Sequence, residues 1–268
     1  MKTLALNNGT NIPVIGLGLW QVDTEAKCIR AIEYALALGY THFDTAQFYQ
    51  NEVFVGKAIR DIDRSKLFIT TKIANGNQAE EKLLGSFETS LRDLRTDYVD
   101  LLLLHFPVTE TRSQAWKQLE GIAKSGRAKA IGVSNYTIRH LEALLKECTI
   151  RPAVNQVELH VYLQQPELVA FCREQGIVVE AYSPLAHGHD IDNPVLQEIG
   201  RKYNKSAAQV MLRWCLEVGT VPLPKSTHEQ RIKENIDIFD FSLDQEDMTK
   251  LQTLDRKFRT AWDPTQVA

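Results

Sequence analysis

The sequence is poor in the residues that hold small proteins together covalently or through metal. It has four cysteines, Cys28, Cys148, Cys172 and Cys215, and none lies in a CxxC or Cys-His grouping. Neither a disulfide framework nor a zinc site is expected, and a reducing compartment fits best. No apolar run approaches the ~20 residues that a membrane-spanning helix needs. The first ten residues turn polar at Asn7, before a signal-like apolar core can form. Both absences point to the cytosol and to no membrane partner. Excess charge of one sign is also missing: the formal net charge is −3, which gives no basic field for nucleic acid. No Pro/Gly/Ser-rich linker interrupts the 268 residues, so one domain spanning 1–268 is expected.

What the chain does have is a rhythm. Two short strand-like runs, 3–6 and 12–15, flank Asn7-Asn8-Gly9-Thr10, a hairpin signal ahead of the main fold. Eight apolar segments then follow at 15–19, 41–44, 67–72, 99–104, 128–133, 153–157, 177–182 and 220–223. Helical spacing follows each, at 24–38, 52–61, 79–94, 112–125, 137–147, 166–175, the 194–218 region and 228–235. A further helical stretch, 243–254, is left over at the end. The run 99–104 shows no in-out alternation apart from Asp100, as in a strand covered on both faces. The pattern predicts an α/β fold: a (β/α)8 TIM barrel with an N-terminal β-hairpin and a C-terminal extra helix. A doubly wound sheet would need a dinucleotide fingerprint, and Gly16-Leu17-Gly18-Leu19-Trp20-Gln21 lacks its third glycine.

In a barrel the chemistry gathers where strands end. Strands two to eight close on Asp44, Lys72, His105, Ser134-Asn135, Gln156, Tyr182-Ser183 and Lys225-Ser226. Any one of these is an ordinary loop residue, but seven consecutive polar strand ends predict a lined pocket. Phe43-Asp44-Thr45-Ala46-Gln47-Phe48-Tyr49 adds a phenol just past the second strand. Taken singly, Asp44 could cap a turn, Tyr49 could pack a helix start, and His105 could be a satisfied core histidine.

The ordered set resembles the aldo-keto reductase family, most closely its small bacterial members of the diketogluconate reductase kind. The matching motifs run from Gly16-Leu17-Gly18-Leu19-Trp20 through Phe43–Ala46 with Tyr49, Thr70-Thr71-Lys72, Leu104-His105-Phe106-Pro107 and Gly132-Val133-Ser134-Asn135. They continue through Asn155-Gln156-Val157-Glu158, Ala181-Tyr182-Ser183-Pro184-Leu185 and Pro224-Lys225-Ser226, with Arg231, Glu234 and Asn235.

The resemblance implies NADPH-dependent reduction of an aldehyde or ketone by a monomer, with Asp44, Tyr49, Lys72 and His105 as catalytic residues. Tyr49 would be the proton donor. Lys72 would favour its phenolate and so lower its pKa, Asp44 would hold Lys72 charged, and His105 would orient the substrate oxygen. The cofactor would be held by Gly18, Ser134, Asn135, Gln156, Tyr182, Ser183, Leu185, Lys225, Ser226, Thr227, Arg231, Glu234 and Asn235. The amide and hydroxyl groups of Ser134, Asn135 and Gln156 suit the nicotinamide carboxamide, and Tyr182 suits its ring. Lys225, Ser226 and Arg231 suit an extra phosphate, which favours NADPH over NADH.

Trp20, Phe48, His105 and Phe106 would wall the substrate space. His187 and His189 have HxH spacing but no evident third ligand, so no metal is expected. Phe258 and Trp262 in the tail either cover the pocket or dock on the barrel. Two competing expectations remain: a Schiff-base aldolase using Lys72, and a cofactor-binding regulatory or redox-sensing subunit with little turnover.

Overall fold

The computed structural model describes residues 2–268. Its first strands, β1 (Thr3–Ala5) and β2 (Asn11–Pro13), pair antiparallel with Leu4 opposite Ile12. Gly9 turns the chain at φ +84°, a conformation open to glycine because it has no Cβ. The side-chain amides of Asn7 and Asn8 donate to the carbonyls of Pro152 and Lys129. Leu6 and Ile12 join Phe68, Leu101, Leu103, Ala153 and Val221 in one apolar cluster. The hairpin therefore plugs the barrel at the end where its strands begin.

The barrel strands are β3 (Leu17–Gly18), β4 (His42–Asp44), β5 (Phe68–Ile73), β6 (Val99–Leu104), β7 (Ala128–Ser134), β8 (Val154–Glu158), β9 (Val178–Tyr182) and β10 (Val221–Leu223). They lie parallel in chain order. Closure comes from β3 meeting β10. The N–H groups of Gly16 and Gly18 donate to the carbonyls of Pro222 and Pro224 at 3.1 Å, and Gly18 bridges to Lys225. The seam needs glycine: a Cβ on Gly16 would lie 2.7 Å from both His42 Nδ1 and Leu223 Cδ2. Asp100, the one charged residue in β6, is matched at the strand-start end by Arg64 at 2.6 Å, Lys129 at 3.1 Å and the Ile69 N–H at 2.9 Å. A buried carboxylate needs such partners to be tolerated.

Among the described residues ten helices cover the outside: α1 (Glu25–Ala37), α2 (Glu52–Ile59), α3 (Glu80–Leu94), α4 (Arg112–Lys124), α5 (Ile138–Glu147), α6 (Pro166–Glu174), α7 (Pro194–Tyr203), α8 (Ala207–Glu217), α9 (Glu229–Ile236) and α10 (Gln245–Gln252). Ile32, Leu83, Leu119, Leu141 and Leu212 from these helices share one core with Ile69, Leu102, Ile131 and Val179 from the strands. Among the described residues no helix is long and apolar enough to cross a membrane.

The doubly wound alternative is excluded by closure, and two boundaries differ from expectation. The 194–218 region is two helices, because Asn204 turns left-handed at φ +55° and Ser206 opens α8 with a capping box to Gln209. The first strand is ladder only at Leu17–Gly18, within the usual uncertainty of strand ends.

The α2–α3 crossing sets a stability test. A Cβ on Gly56 would lie 2.1 Å from the Asp93 carbonyl oxygen and 2.8 Å from the Leu94 carbonyl carbon. Gly56→Ala should lower the unfolding free energy by about 1–3 kcal/mol. Gly85→Ala, whose added Cβ meets nothing within 4 Å, should raise it by up to about 1 kcal/mol through helix propensity. Urea unfolding of the two variants checks both, and a Gly56→Ala protein as stable as its parent would contradict the close crossing.

Candidate active site

Past the end of β4 the chain makes a single 3-10 turn over Gln47–Tyr49 before α2 begins. Two amides pin this loop. Asn51 donates to the carbonyls of Leu19 and Val22 and accepts from the Thr45 hydroxyl at 2.6 Å. Gln47 accepts from the Ala74 N–H and donates to Ser86 and Ser90. Tyr49 is thereby held against Lys72, whose side chain is 0% exposed. The Lys72 ammonium donates to Asp44 Oδ1 at 2.6 Å, to the Thr45 carbonyl at 3.0 Å and to the Tyr49 hydroxyl at 3.2 Å. All three of its N–H groups have partners.

Burial opposes the charge on Lys72, but Asp44 and Tyr49 outweigh it and the ammonium is held above its ordinary pKa. An imine-forming amine needs the opposite shift, so the aldolase expectation loses its nucleophile. Tyr49 corrects a second expectation. Burial raises its pKa more than Lys72 lowers it, so the phenol stays protonated well into the alkaline range. The ammonium does act in the direction expected; desolvation of the phenolate is the larger effect.

His105 follows β6 and is buried. Desolvation, and then the Lys72 charge, push its pKa well below the usual range, so the ring is neutral. Its Nδ1 has no hydrogen-bond partner among the described residues. Above it the Trp262 ring lies 5.3 Å away, centroid to centroid, with Phe48 at 6.1 Å. Trp20, Phe48 and Trp262 are 39%, 55% and 39% exposed, among the few large apolar side chains left open to solvent. They stand round one cavity of about 940 Å³.

The tail that carries Trp262 is tied down by Glu158, the buried residue ending β8. Glu158 accepts from the N–H and hydroxyl of Thr260 at 2.6 Å each and from the Ala261 N–H at 3.1 Å.

The cavity continues along the ends of β7 to β10. Ser134 donates to the Gln156 backbone carbonyl, Asn135 donates to the His105 carbonyl and to Ser134 Oγ, and Tyr182 donates to Asn135 Oδ1 at 2.8 Å. Gln156 Nε2 donates to Asp44 Oδ2 at 2.8 Å and to Glu180 Oε2 at 2.9 Å. Asn135 and Ser183 hold left-handed backbone at φ +65° and +48°, strain of the kind that gathers at binding sites. At the far end Lys225 and Arg231 are exposed, and neither has an acidic side chain within ion-pairing distance among the described residues. Ser226 is buried beside them, and its Oγ accepts from the His228 N–H.

Most of the residues singled out in the sequence meet here. Gly18, Trp20, Asp44, Phe48, Tyr49, His105, Ser134, Asn135, Gln156, Tyr182, Ser183, Leu185, Lys225, Ser226, Arg231, Glu234 and Asn235 all line the cavity. Lys72 does not line it but is bonded to Asp44 and Tyr49, which do. Thr227 does not line it. Phe106 does not either: its ring backs Trp262 at 5.7 Å, so it supports the wall from behind.

Trp262 settles the open alternative by lining the cavity. His187, expected to be a plain loop residue, also lines it and lies edge-on to Trp20 at 5.6 Å. Thr260, Ala261 and Ile191 were missed, because they come from irregular segments with no periodicity to place them. Among the described residues no three His, Cys, Asp or Glu side chains come together as metal ligands would.

A model of the aldo/keto reductase family matches residues 14–189 and 191–256. The glyoxal reductase of Bacillus subtilis (strain 168) is 46% identical over 267 residues, 99% of this chain and 97% of that protein. An aldo-keto reductase from a Medee basin deep-sea metagenome library superposes with a TM-score of 0.95 at 38% identity, over 99% of each chain. The Bombyx mori aldo-keto reductase crystallised with NADP gives 0.90 at 34% identity, over 96% of this chain and 94% of that one.

Another buried carboxyl beside the site makes a pH test. Glu52, at the start of α2, accepts from Thr71 Oγ1 at 2.6 Å and from Ser90 Oγ at 3.1 Å. Burial still pushes its pKa up from 4.5 to about 7. The folded state thus holds a proton that the unfolded chain releases near pH 4.5, so this contribution is complete below that pH and lost as pH rises to about 7. It amounts to about 3 kcal/mol. Glu52→Gln should flatten the fall in denaturation midpoint between pH 4.5 and 7, and an unchanged slope would show that Glu52 is ionised throughout.

Proposed function

The chain belongs to the aldo/keto reductase family, and from that premise we propose that it reduces small aldehydes and ketones with NADPH, Tyr49 acting as the acid. The observation that carries this reading is the Lys72 ammonium, bound at once to Asp44 and to the Tyr49 hydroxyl on the floor of the cavity. The residues present fit the cofactor. Lys225, Arg231 and the Ser226 hydroxyl offer two free cations and a donor for a phosphate at one end of the groove. At the other end Ser134, Asn135, Gln156 and the Tyr182 ring offer polar and flat surfaces for a nicotinamide.

When bound, NADPH supplies the hydride that reaches the carbonyl carbon. The chain handles the charge that then builds on the oxygen. Tyr49 donates its proton there, because an alkoxide is far more basic than a phenolate, so even a phenol with a raised pKa is a competent acid. Lys72 then stands against the phenolate left behind, in a site where burial strengthens the attraction. Asp44 keeps Lys72 charged and aimed. His105, being neutral, can orient the carbonyl oxygen through a ring N–H without adding a second cation beside Lys72.

Trp20, Phe48 and Trp262 give an apolar vestibule to a polar floor, which suits small carbonyl compounds with one exposed apolar side. The similarity to a glyoxal reductase makes small dicarbonyls the first substrates to try. The same reading takes the protein as a single-domain monomer of the cytosol.

Oxidation of NADPH in the presence of glyoxal and a panel of simple aldehydes tests the proposal. Tyr49→Phe should lower kcat by at least about 100-fold while the dissociation constant for NADPH stays within about twofold, since the phenol holds no phosphate or amide. Retained turnover in that variant would remove Tyr49 from the acid role.

A further inference from the structure

Glu180 lies in the middle of β9, is fully buried and faces the barrel interior. It pairs in register with Gln156 on β8. The two N–H groups of the Gln156 side-chain amide are both spent: one goes to Asp44 Oδ2 at 2.8 Å, the other to Glu180 Oε2 at 2.9 Å. Gln156 thus spans the barrel axis, since β8 and β4 stand on opposite sides of the eight strands. A flipped amide would set its oxygen against the Asp44 carboxylate, a contact that repels. One hydrogen bond, to Asp44 alone, would let the amide swivel; the second fixes its plane. Among the described residues none donates a hydrogen bond to the Gln156 side-chain oxygen, and the residue lines the cavity.

We infer that Glu180 is a positioning residue for the ligand's ring amide: with Asp44 it takes both N–H groups of Gln156, leaving that side chain's carbonyl oxygen to face the cavity as an acceptor for an N–H donor such as a primary carboxamide. The inference rests on the nicotinamide reading above and deepens it. Glu180 can do this without adding a second buried anion beside Asp44. Burial, and then the Asp44 charge, raise its pKa, so it keeps its proton near neutrality and accepts through its other oxygen. Its remaining oxygen, Oε1, has no hydrogen bond among the described residues. The groups that face Glu180 are His42 on β4, 3.6 Å away and neutral because burial and Lys72 depress its pKa, with Asp44 on β4 and Lys72 on β5. None of them supplies a competing donor to the Gln156 oxygen.

The test compares three probes by calorimetry: NADP+, its 3-acetylpyridine analogue, which carries a methyl ketone where NADP+ has the carboxamide, and ADP-ribose 2′-phosphate, which has no ring. The wild type should prefer NADP+ over the analogue by about tenfold, one hydrogen bond's worth. Glu180→Leu should reduce that preference to about threefold or less, and Glu180→Gln, which keeps an accepting oxygen, should retain it. The ringless probe should bind all three proteins alike, which also reports that each is folded. Should Glu180→Leu fail to bind it, Glu180→Thr, too short to reach Gln156, is read in its place. A preference that survives in the Leu or Thr variant, or a wild type that binds NADP+ and the analogue equally, overturns the role of Glu180 and leaves the nicotinamide reading standing. A wild type that binds the ringless probe but neither ring-bearing one overturns both.

Discussion

The site depends on keeping one cation where water cannot reach it. A lysine ammonium is costly to bury unless each of its donors is met and a negative charge lies close. Lys72 meets both conditions: Asp44 supplies the charge, and the Thr45 carbonyl and Tyr49 hydroxyl complete the set. The arrangement is reciprocal. Asp44 is tolerated in the barrel because Lys72 and Gln156 satisfy it, and Tyr49 is fixed because its hydroxyl is one of the three acceptors. Removing any member leaves another with an unmet buried group, which explains why the loop from Thr45 to Asn51 is so heavily pinned by Asn51 and Gln47.

Around this polar floor the structure spends its irregular segments. The turn at Gln47–Tyr49, the left-handed residues Asn135 and Ser183, and the tail held by Glu158 are all non-repetitive. The strands place residues to within the stagger of a barrel, and these segments then aim individual side chains. Glu158 and Gln156 share a strand and face alternate tasks: one anchors the wall that carries Trp262, the other shapes the floor beside Asp44. The cavity is therefore fixed at its base by buried charge and at its rim by a single carboxylate that gathers three donors from the tail.

How much of this was legible in the sequence follows from where each residue sits. Asp44, Lys72, His105, Gln156 and Tyr182 were found because they close apolar runs, and in a parallel barrel that position is the rim. Glu180 was passed over, although the signal was present: it stands between Val179 and Ala181 in a strand otherwise apolar, and a carboxyl inside such a run asks for a buried partner. Trp262 was left open because the tail has neither period nor flanking caps, so nothing local states what it covers. Phe106 was misassigned for a related reason. Its neighbour His105 lines the cavity, while its own ring meets Trp262 edge-on, a contact between segments far apart in the chain. The direction of the net pKa shift on Tyr49 was also out of reach, because it depends on weighing burial against a nearby charge, and burial is a property of the whole fold.

The central claim is that the Lys72 ammonium stabilises the Tyr49 phenolate as the proton leaves. The most direct measurement is the single-turnover rate of NADPH oxidation after mixing the protein–NADPH complex with glyoxal. It is made in the wild type and in the double variant Lys72→Met with Asp44→Asn, which removes the pair without stranding a buried charge. The account predicts that the rate falls by at least about 100-fold while NADPH still binds. An unchanged rate in the double variant would contradict it.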